Sequence, residues 1–321
     1  MKLSVLTVLY GALSLEDTLK KLSDLGVQAV ELGCGGYPGD AHLPTAEYLE
    51  NPAKIQELKD LLAKYNMEIS ALACHGNPVH PDPVIAKEFH DQFCNAVLLA
   101  EQLSVETIVT FSGCPGDCPT SKYPNWVTCS WPLDFGSVLD YQWNDVLIPY
   151  WKQTAAFAAS HGVNKIALEM HPGFCVYNPS SLLRLREAVG DVIGANFDPS
   201  HLFWQGIVPS AAIKMLKGAI YHFHAKDTKL DAMNVMQNGV LDTGNYADLL
   251  GRSWSFRTVG YGHGLDEWNE ILSTLRMVGY DGAISIEHED ALMSIDEGLS
   301  KAVSLLKQSI MFESAGEMWW N

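Results

Sequence analysis

Residues 219–227 read AIYHFHAKD. Three apolar residues lead in, as at the start of a buried β-strand. Then two histidines, a lysine and an aspartate crowd its end. Alternate residues of a barrel strand face the helices and the barrel axis. On that rule Tyr221 and Phe223 face outward, while His222, His224 and Lys226 face inward. A strand that is oily on one side and titratable on the other, at its C-terminal end, has the pattern of a barrel strand carrying an active-site rim.

The same pattern recurs along the chain. Strand-like runs fall at Leu3–Leu9, Gln28–Leu32, Ile69–Cys74, Thr107–Phe111, Lys165–Met170, Ala195–Asp198, Ile220–His224 and Ala283–Glu287. Helical patterns separate them. Ser14-Leu-Glu-Asp17 reads as a capping box, with Leu15, Leu19, Leu22 and Leu25 at helical spacing until Gly26. Asn51-Pro52 opens a helix with Ile55, Leu58, Leu61 and Leu62 on one face. Further helices are expected near 83–103, 145–161, 179–189, 209–216, 265–278 and 295–312. Eight βα units predict an α/β fold, a (β/α)8 TIM barrel formed as one domain by residues 1–321. A doubly wound open sheet is disfavoured, because no G-x-G-x-x-G turn follows the first strand.

Two connections are long, Gly113–Asn144 after strand four and Thr228–Gly264 after strand seven. The first holds four prolines and three tryptophans. Both belong to the C-terminal face, where long loops become lids or substrate walls.

Composition narrows the function. A formal charge of −17 argues against a nucleic-acid partner. No apolar run is long enough to span a membrane. Met1-Lys2-Leu3-Ser4-Val5 reads as a strand rather than a signal peptide, so a cytoplasmic location is expected. Seven cysteines suit reduced thiols. Cys114-Pro-Gly-Asp-Cys118 and Cys129 read as loop thiols, since the spacing is not C-x-x-C.

Extending the alternation gives a constellation. The inward set of strand five ends in Glu169 and His171, that of strand six in Asn196 and Asp198, and that of strand eight in Ser285 and Glu287. Four consecutive strands therefore deliver Glu, Asp, His and Glu to one end of the axis. Carboxylates gathered there repel one another unless a cation lies between them. An oxygen-rich set with one imidazole favours Mn2+ first, with Mg2+, Co2+ and Zn2+ as alternatives.

The segments ALEMHP, NFDPSH, HFHAKD and SIEHED, in that order, resemble the xylose isomerase-like TIM-barrel superfamily of sugar phosphate isomerases and epimerases. The resemblance covers essentially the whole chain. It implies metal ligands at Glu169, Asp198, His224 and Glu287, with Glu169 and Glu287 doubling as the proton-transfer pair. It implies a substrate contact at His201, three residues after the aspartate. The GYGHGLDEW stretch, 260–268, is similar to the family's segment ahead of the last helices. The chain departs from the ketose 3-epimerases at Leu230, where they carry an arginine. Its Lys226-Asp227 pair is closer to the inositol-catabolism branch. An endonuclease IV-like role fits poorly with the charge.

The expected activity is metal-dependent epimerisation or isomerisation of a keto-sugar or keto-glycoside, by proton abstraction beside a carbonyl. The alternative is a lyase that cleaves 3-keto glycosides by β-elimination, as a subunit of a hetero-oligomer. A non-catalytic barrel serving as a partner subunit is disfavoured by the complete ligand set. Lys226 and His201 are candidate oxyanion stabilisers, and His75, His171 and His263 are candidate substrate contacts. Glu31 reads either as a substrate contact or as half of a buried ion pair. Trp126, Trp131 and Trp143 suit either sugar stacking or a loop core. A homo-oligomer is expected. Trp319-Trp320 is expected to fold back on the barrel or to meet another subunit.

Overall fold

The structure is a computed structural model in which residues 1–318 and Trp320 are described. Eight parallel strands close into a barrel. They are β1 (Lys2–Leu6), β2 (Ala29–Gly33), β3 (Glu68–Ala73), β4 (Thr107–Thr110), β5 (Lys165–Glu169), β6 (Ile193–Phe197), β7 (Ile220–Ala225) and β10 (Ala283–Ile286). An antiparallel ribbon, β8 (Asp227–Leu230) with β9 (Trp254–Arg257), lies between β7 and β10. β1 pairs with β10 and closes the ring. Of the tryptophan pair, Trp319 lies outside the described residues and Trp320 is exposed.

The alternation rule holds for the main core. Leu3, Val5, Val30, Leu32, Ile108, Ile166, Leu168, Phe197, Phe223, Ile284 and Ile286 are buried in the shell between barrel and helices. Met170 joins them. Helix starts follow their capping residues. Ser14 Oγ accepts from Asp17 N, Asn51 Oδ1 from Ala53 N, and Asn178 Oδ1 from Ser181 N.

Three expectations need correction. The first strand stops at Leu6, and Thr7–Tyr10 turns into a 3-10 helix. The connection after β4 is shorter than its composition suggests, because helix begins at Leu133 and runs through a π segment, Tyr141–Leu147, to Ser160. The Leu133–Asp140 turns bury no side chain, so they carry no apolar stripe to read. Third, Tyr221 does not face outward. The β6–β7 register slips by one residue there, with Ala195 opposite Ile220 and Asn196 opposite His222. Such a bulge re-aims a side chain. Tyr221 packs on the small inner residues Ala71, Val109 and Ala167, and its hydroxyl accepts from Arg186 Nη1 at 2.7 Å. Gly194 makes room for the ring: a Cβ there would lie 2.3 Å from it. A second slip, at Ser70 in β3, sets Ser70 Oγ 2.9 Å from Ser4 Oγ. These groups fill the N-terminal end of the barrel, and the other end is left for the titratable set.

Candidate metal centre and active site

Two tiers of ionisable groups occupy the axis above Tyr221. The lower tier is built on Glu31 of β2, which is fully buried. Its carboxylate accepts from His222 Nε2 at 2.9 Å, from His224 Nε2 at 3.0 Å and from Ser285 Oγ at 2.7 Å. Burial alone would raise the Glu31 pKa, but His224 and His222 outweigh it and hold it well below the usual range. Glu31 is thus a buried partner of two histidines. Bonding Nε2 leaves Nδ1 of His224 to face the upper tier.

That upper tier gathers Glu169, Asp198, His224 and Glu287, whose potential ligand atoms all lie within 4.8 Å of one another. His224 Nδ1 is 3.2 Å from both Glu169 Oε2 and Glu287 Oε2, yet makes no hydrogen bond. Asp198 Oδ1 accepts from Ser200 N, while its buried Oδ2 has no hydrogen-bond partner. Two buried atoms that make no hydrogen bond and two carboxylates converging on one point fit a divalent cation. Burial opposes charge on His224, but the surrounding carboxylates, Glu31 foremost, raise its pKa well above the ordinary value. The field that draws a proton to Nδ1 equally draws a metal ion in its place. Asp198 is shifted upward, chiefly by burial, with Glu169 and Glu287 adding to it against Lys226 and His201.

The neighbours orient these carboxylates. Glu169 receives Asn196 Nδ2 at 3.1 Å, His75 Nε2 at 3.1 Å and His201 Nε2 at 3.0 Å. Burial would raise its pKa, and hydrogen bonds from His201, His224 and His75 instead hold it well below. Lys226 is buried and reaches Glu287 Oε2 at 2.7 Å, Glu289 Oε2 at 3.1 Å and Asp198 Oδ2 at 3.3 Å. Against its burial, Lys226 and His224 pull Glu287 down to about 2.

The structure therefore brings together Glu169, Asp198, His224, Glu287, His201, Lys226 and His75. His171 stands at the edge, its ring 4.1 Å from that of His201. Its pKa falls to about 3, mainly through burial, so it is neutral. His263 is not brought to the cluster. Its Nδ1 bonds Asp227 at 2.8 Å and its ring stacks on Phe203 at 3.6 Å. Of the tryptophans, Trp143 is buried under the Arg184 guanidinium, Trp126 packs edge-on against Tyr177, and Trp131 is exposed. Trp126 and Trp143 line a separate cleft with Tyr177 and Arg184.

Several site residues escaped the sequence reading. Glu289 is the next inward position after Glu287, so the alternation carried two residues further would have found it. Phe111 and Phe256 form walls: Phe111 is 4.6 Å from His75, and Phe256 is 4.7 Å from Lys226 Nζ. Neither has a local signal. A cleft of about 200 Å3 opens over Glu169 and Glu287, lined by Tyr37, His75 and Phe111.

Asp227, beside Lys226, acts through the backbone. Its buried carboxylate accepts from Gly260 N at 3.0 Å, Gly262 N at 3.0 Å and His263 N at 2.9 Å. That gathers the 260–263 turn against the strand. A Cβ at Gly262 would lie 2.2 Å from Thr228 O, so no other residue fits. Asp227→Ala leaves these donors unpaired and is expected to cost about 3 kcal/mol. A denaturant titration checks it; a loss below about 1 kcal/mol would show that the turn stands without the carboxylate.

Comparison with known proteins follows this geometry. The family model described as "Xylose isomerase-like TIM barrel" matches residues 19–309. The uncharacterized protein YfiH of Bacillus subtilis (strain 168) is 41% identical over 312 residues, covering 97% of this chain and 99% of that protein. Among solved structures, a D-tagatose 3-epimerase-like protein superposes with a TM-score of 0.63 at 23% identity, over 96% of this chain and 97% of the other. The IOLI protein with a bound zinc atom gives a TM-score of 0.65 at 17% identity, over 97% and 98%. The two structural matches speak for the fold. Among the described residues no helix is long and apolar enough to cross a membrane.

Proposed function

The chain belongs to the xylose isomerase-like TIM-barrel family, and from that premise we propose that it is a divalent-metal-dependent sugar epimerase or isomerase. It removes a proton beside the carbonyl of a keto-sugar or keto-glycoside. The observation that carries this reading is the convergence of two glutamates from strands five and eight of the barrel, Glu169 and Glu287, on His224 Nδ1 and Asp198 Oδ2, neither of which makes a hydrogen bond.

Glu169, Asp198, His224 and Glu287 would hold the cation, with Mn2+ the first choice and Mg2+, Co2+ or Zn2+ the alternatives. Bound there, the cation would supply Lewis acidity to the substrate carbonyl and so acidify the neighbouring C–H. One glutamate takes the proton on its carboxylate oxygen, and the other returns a proton from the opposite face. With Lys226 bonded to it, Glu287 is a weak base. A substrate oxygen that takes over the Lys226 ammonium raises the basicity of Glu287 toward the working range. His201 and His75 hold Glu169 in place, and Lys226 supplies N–H donors for charge developing on the substrate oxygen.

A second reading, β-elimination from a 3-keto glycoside by a chain that works within a hetero-oligomer, uses the same proton abstraction. It is favoured by one observation: a larger cleft of about 610 Å3 adjoins the inner one at Glu289, giving room for a leaving group.

Turnover in D2O tests the common step. Solvent deuterium is expected at the carbon beside the carbonyl, in the inverted product for epimerisation or in recovered substrate when elimination follows. Complete retention of the original hydrogen would reject both readings and leave the glutamates as ligands only.

A further inference from the structure

The geometry points to a second substrate subsite in the outer cleft, one that takes an aromatic aglycone bearing an oxyanion. This rests on the sugar-directed reading of the inner cleft and specifies the class of substrate.

The inner cleft of about 200 Å3 is smaller than the roughly 300–1,000 Å3 of whole small-molecule sites. The outer cleft, at about 610 Å3, falls within that range. The two meet at Glu289, which lines both. Two rings stand at the passage. His171 has His201 on one side and the outer cleft on the other, and Phe256 likewise has Lys226. A ligand whose reactive ring sits over Glu169 and Glu287 can therefore extend directly into the larger space.

The walls there are aromatic and apolar. Tyr246 lies nearly parallel to Phe256, with centroids 6.1 Å apart, and Leu249 and Met293 are also in the lining. Flat apolar faces of this kind suit a ring that needs no hydrogen bonds of its own.

Charge distinguishes the far end. Arg252 is almost completely buried in that wall, its guanidinium 4.1 Å from the Tyr246 ring centre and 4.6 Å from that of Trp254. Nε donates to Trp254 O and Nη1 to Gly244 O. Nη2 has no hydrogen-bond partner. The acidic groups of the cleft are engaged elsewhere, Glu289 with Lys226 and Asp290 with Arg257. Asp242 feels the field of Arg252, but its oxygens take the backbone N–H groups of Ser253 and Gly244. Among the described residues Arg252 makes no ion pair within 4.0 Å. A buried guanidinium without a full set of partners is a costly arrangement, and an anionic ligand oxygen at this end of the cleft would offset its charge. Carboxylate and phosphate share that chemistry.

Unoxidised glycosides cannot react, so their binding reports the subsite independently of the proposed reaction. Dissociation constants are measured by calorimetry on the metal-loaded protein for methyl, phenyl, carboxyphenyl and phosphorylated-phenyl glucosides of both anomers. Phenyl is expected to bind at least about tenfold tighter than methyl, and one of the two charged rings at least about tenfold tighter again. The stronger of the two identifies the oxyanion. In Arg252→Gln the charged-over-neutral ratio should fall to within twofold of one, while the phenyl-over-methyl ratio persists. In Leu249→Trp, which fills the cleft, the phenyl-over-methyl ratio should fall about tenfold. Ratios within one variant cancel a general loss of folded protein. Equal binding of methyl and phenyl, or of charged and neutral rings, in the native protein overturns the subsite, as does failure of all four to bind. Deuterium exchange into a small keto-sugar would leave the reaction standing in any of those cases.

Discussion

Glu287→Gln is expected to lower kcat on a keto-sugar by about 10³-fold, the scale on which positioned proton transfer contributes. The amide keeps the volume and removes the base. It also removes the charge that Lys226 contacts, but Lys226 keeps Glu289 at 3.1 Å and Asp198 at 3.3 Å, so the barrel should remain folded. His90→Ala supplies the contrast. His90 lies on the helix Pro83–Leu103, its Nδ1 3.2 Å from the Tyr150 hydroxyl, and its loss should leave kcat unchanged. Steady-state kinetics on both variants, with circular dichroism to show the fold, makes the comparison. Turnover by the glutamine variant within tenfold of the native rate would remove Glu287 from the chemistry.

The second large effect concerns the metal. Protein prepared without chelators should contain about one divalent ion per chain by elemental analysis. Stripping it should abolish turnover, and Mn2+ should restore it. Saturation at 100 times the dissociation constant should also stabilise the fold by about 2.7 kcal/mol. Glu31 gives the finer test. It is not one of the four converging ligands, yet its bond to Nε2 fixes which nitrogen of His224 is offered to them. Glu31→Gln should therefore raise the Mn2+ concentration for half-restoration by about 10–100-fold. A metal-free chain with full activity would end the metal hypothesis, while an unchanged Mn2+ requirement in Glu31→Gln would end only the orienting role.

Period-two alternation carries far in this protein. It assigns the outward shell of β5, β6 and β10, and it turns Glu169, Asp198, His224 and Glu287 toward the axis. It fails at Tyr221, because a register slip depends on the pairing of two strands 25 residues apart and leaves no mark in either one. Helix that buries nothing, as at Leu133–Asp140, is equally silent. Phe111 and Phe256 meet the cluster only through tertiary packing. Histidines divide in the same way. His224 is legible because it sits on a strand in phase, whereas His263 sits in a turn whose direction is set by Asp227, 36 residues away.

The slip in β7 also separates two kinds of inheritance within one strand. At the slip, Tyr221 is the unpaired residue and plugs the barrel floor. Beyond it, His222, His224 and Lys226 keep their own phase through the pairing of Asn196 with His222. The extra residue, Tyr221, thus belongs to the floor and not to the ladder that carries the reactive end. Loss of one residue at the bulge restores an unbroken ladder and leaves the downstream side chains pointing as before. A loss two residues later, inside the ordered pairing, turns His224 and Lys226 away from the axis. The floor can therefore drift in sequence and even in length among descendants while the reactive end stays fixed, so a lineage can adjust barrel packing without reopening the chemistry above it.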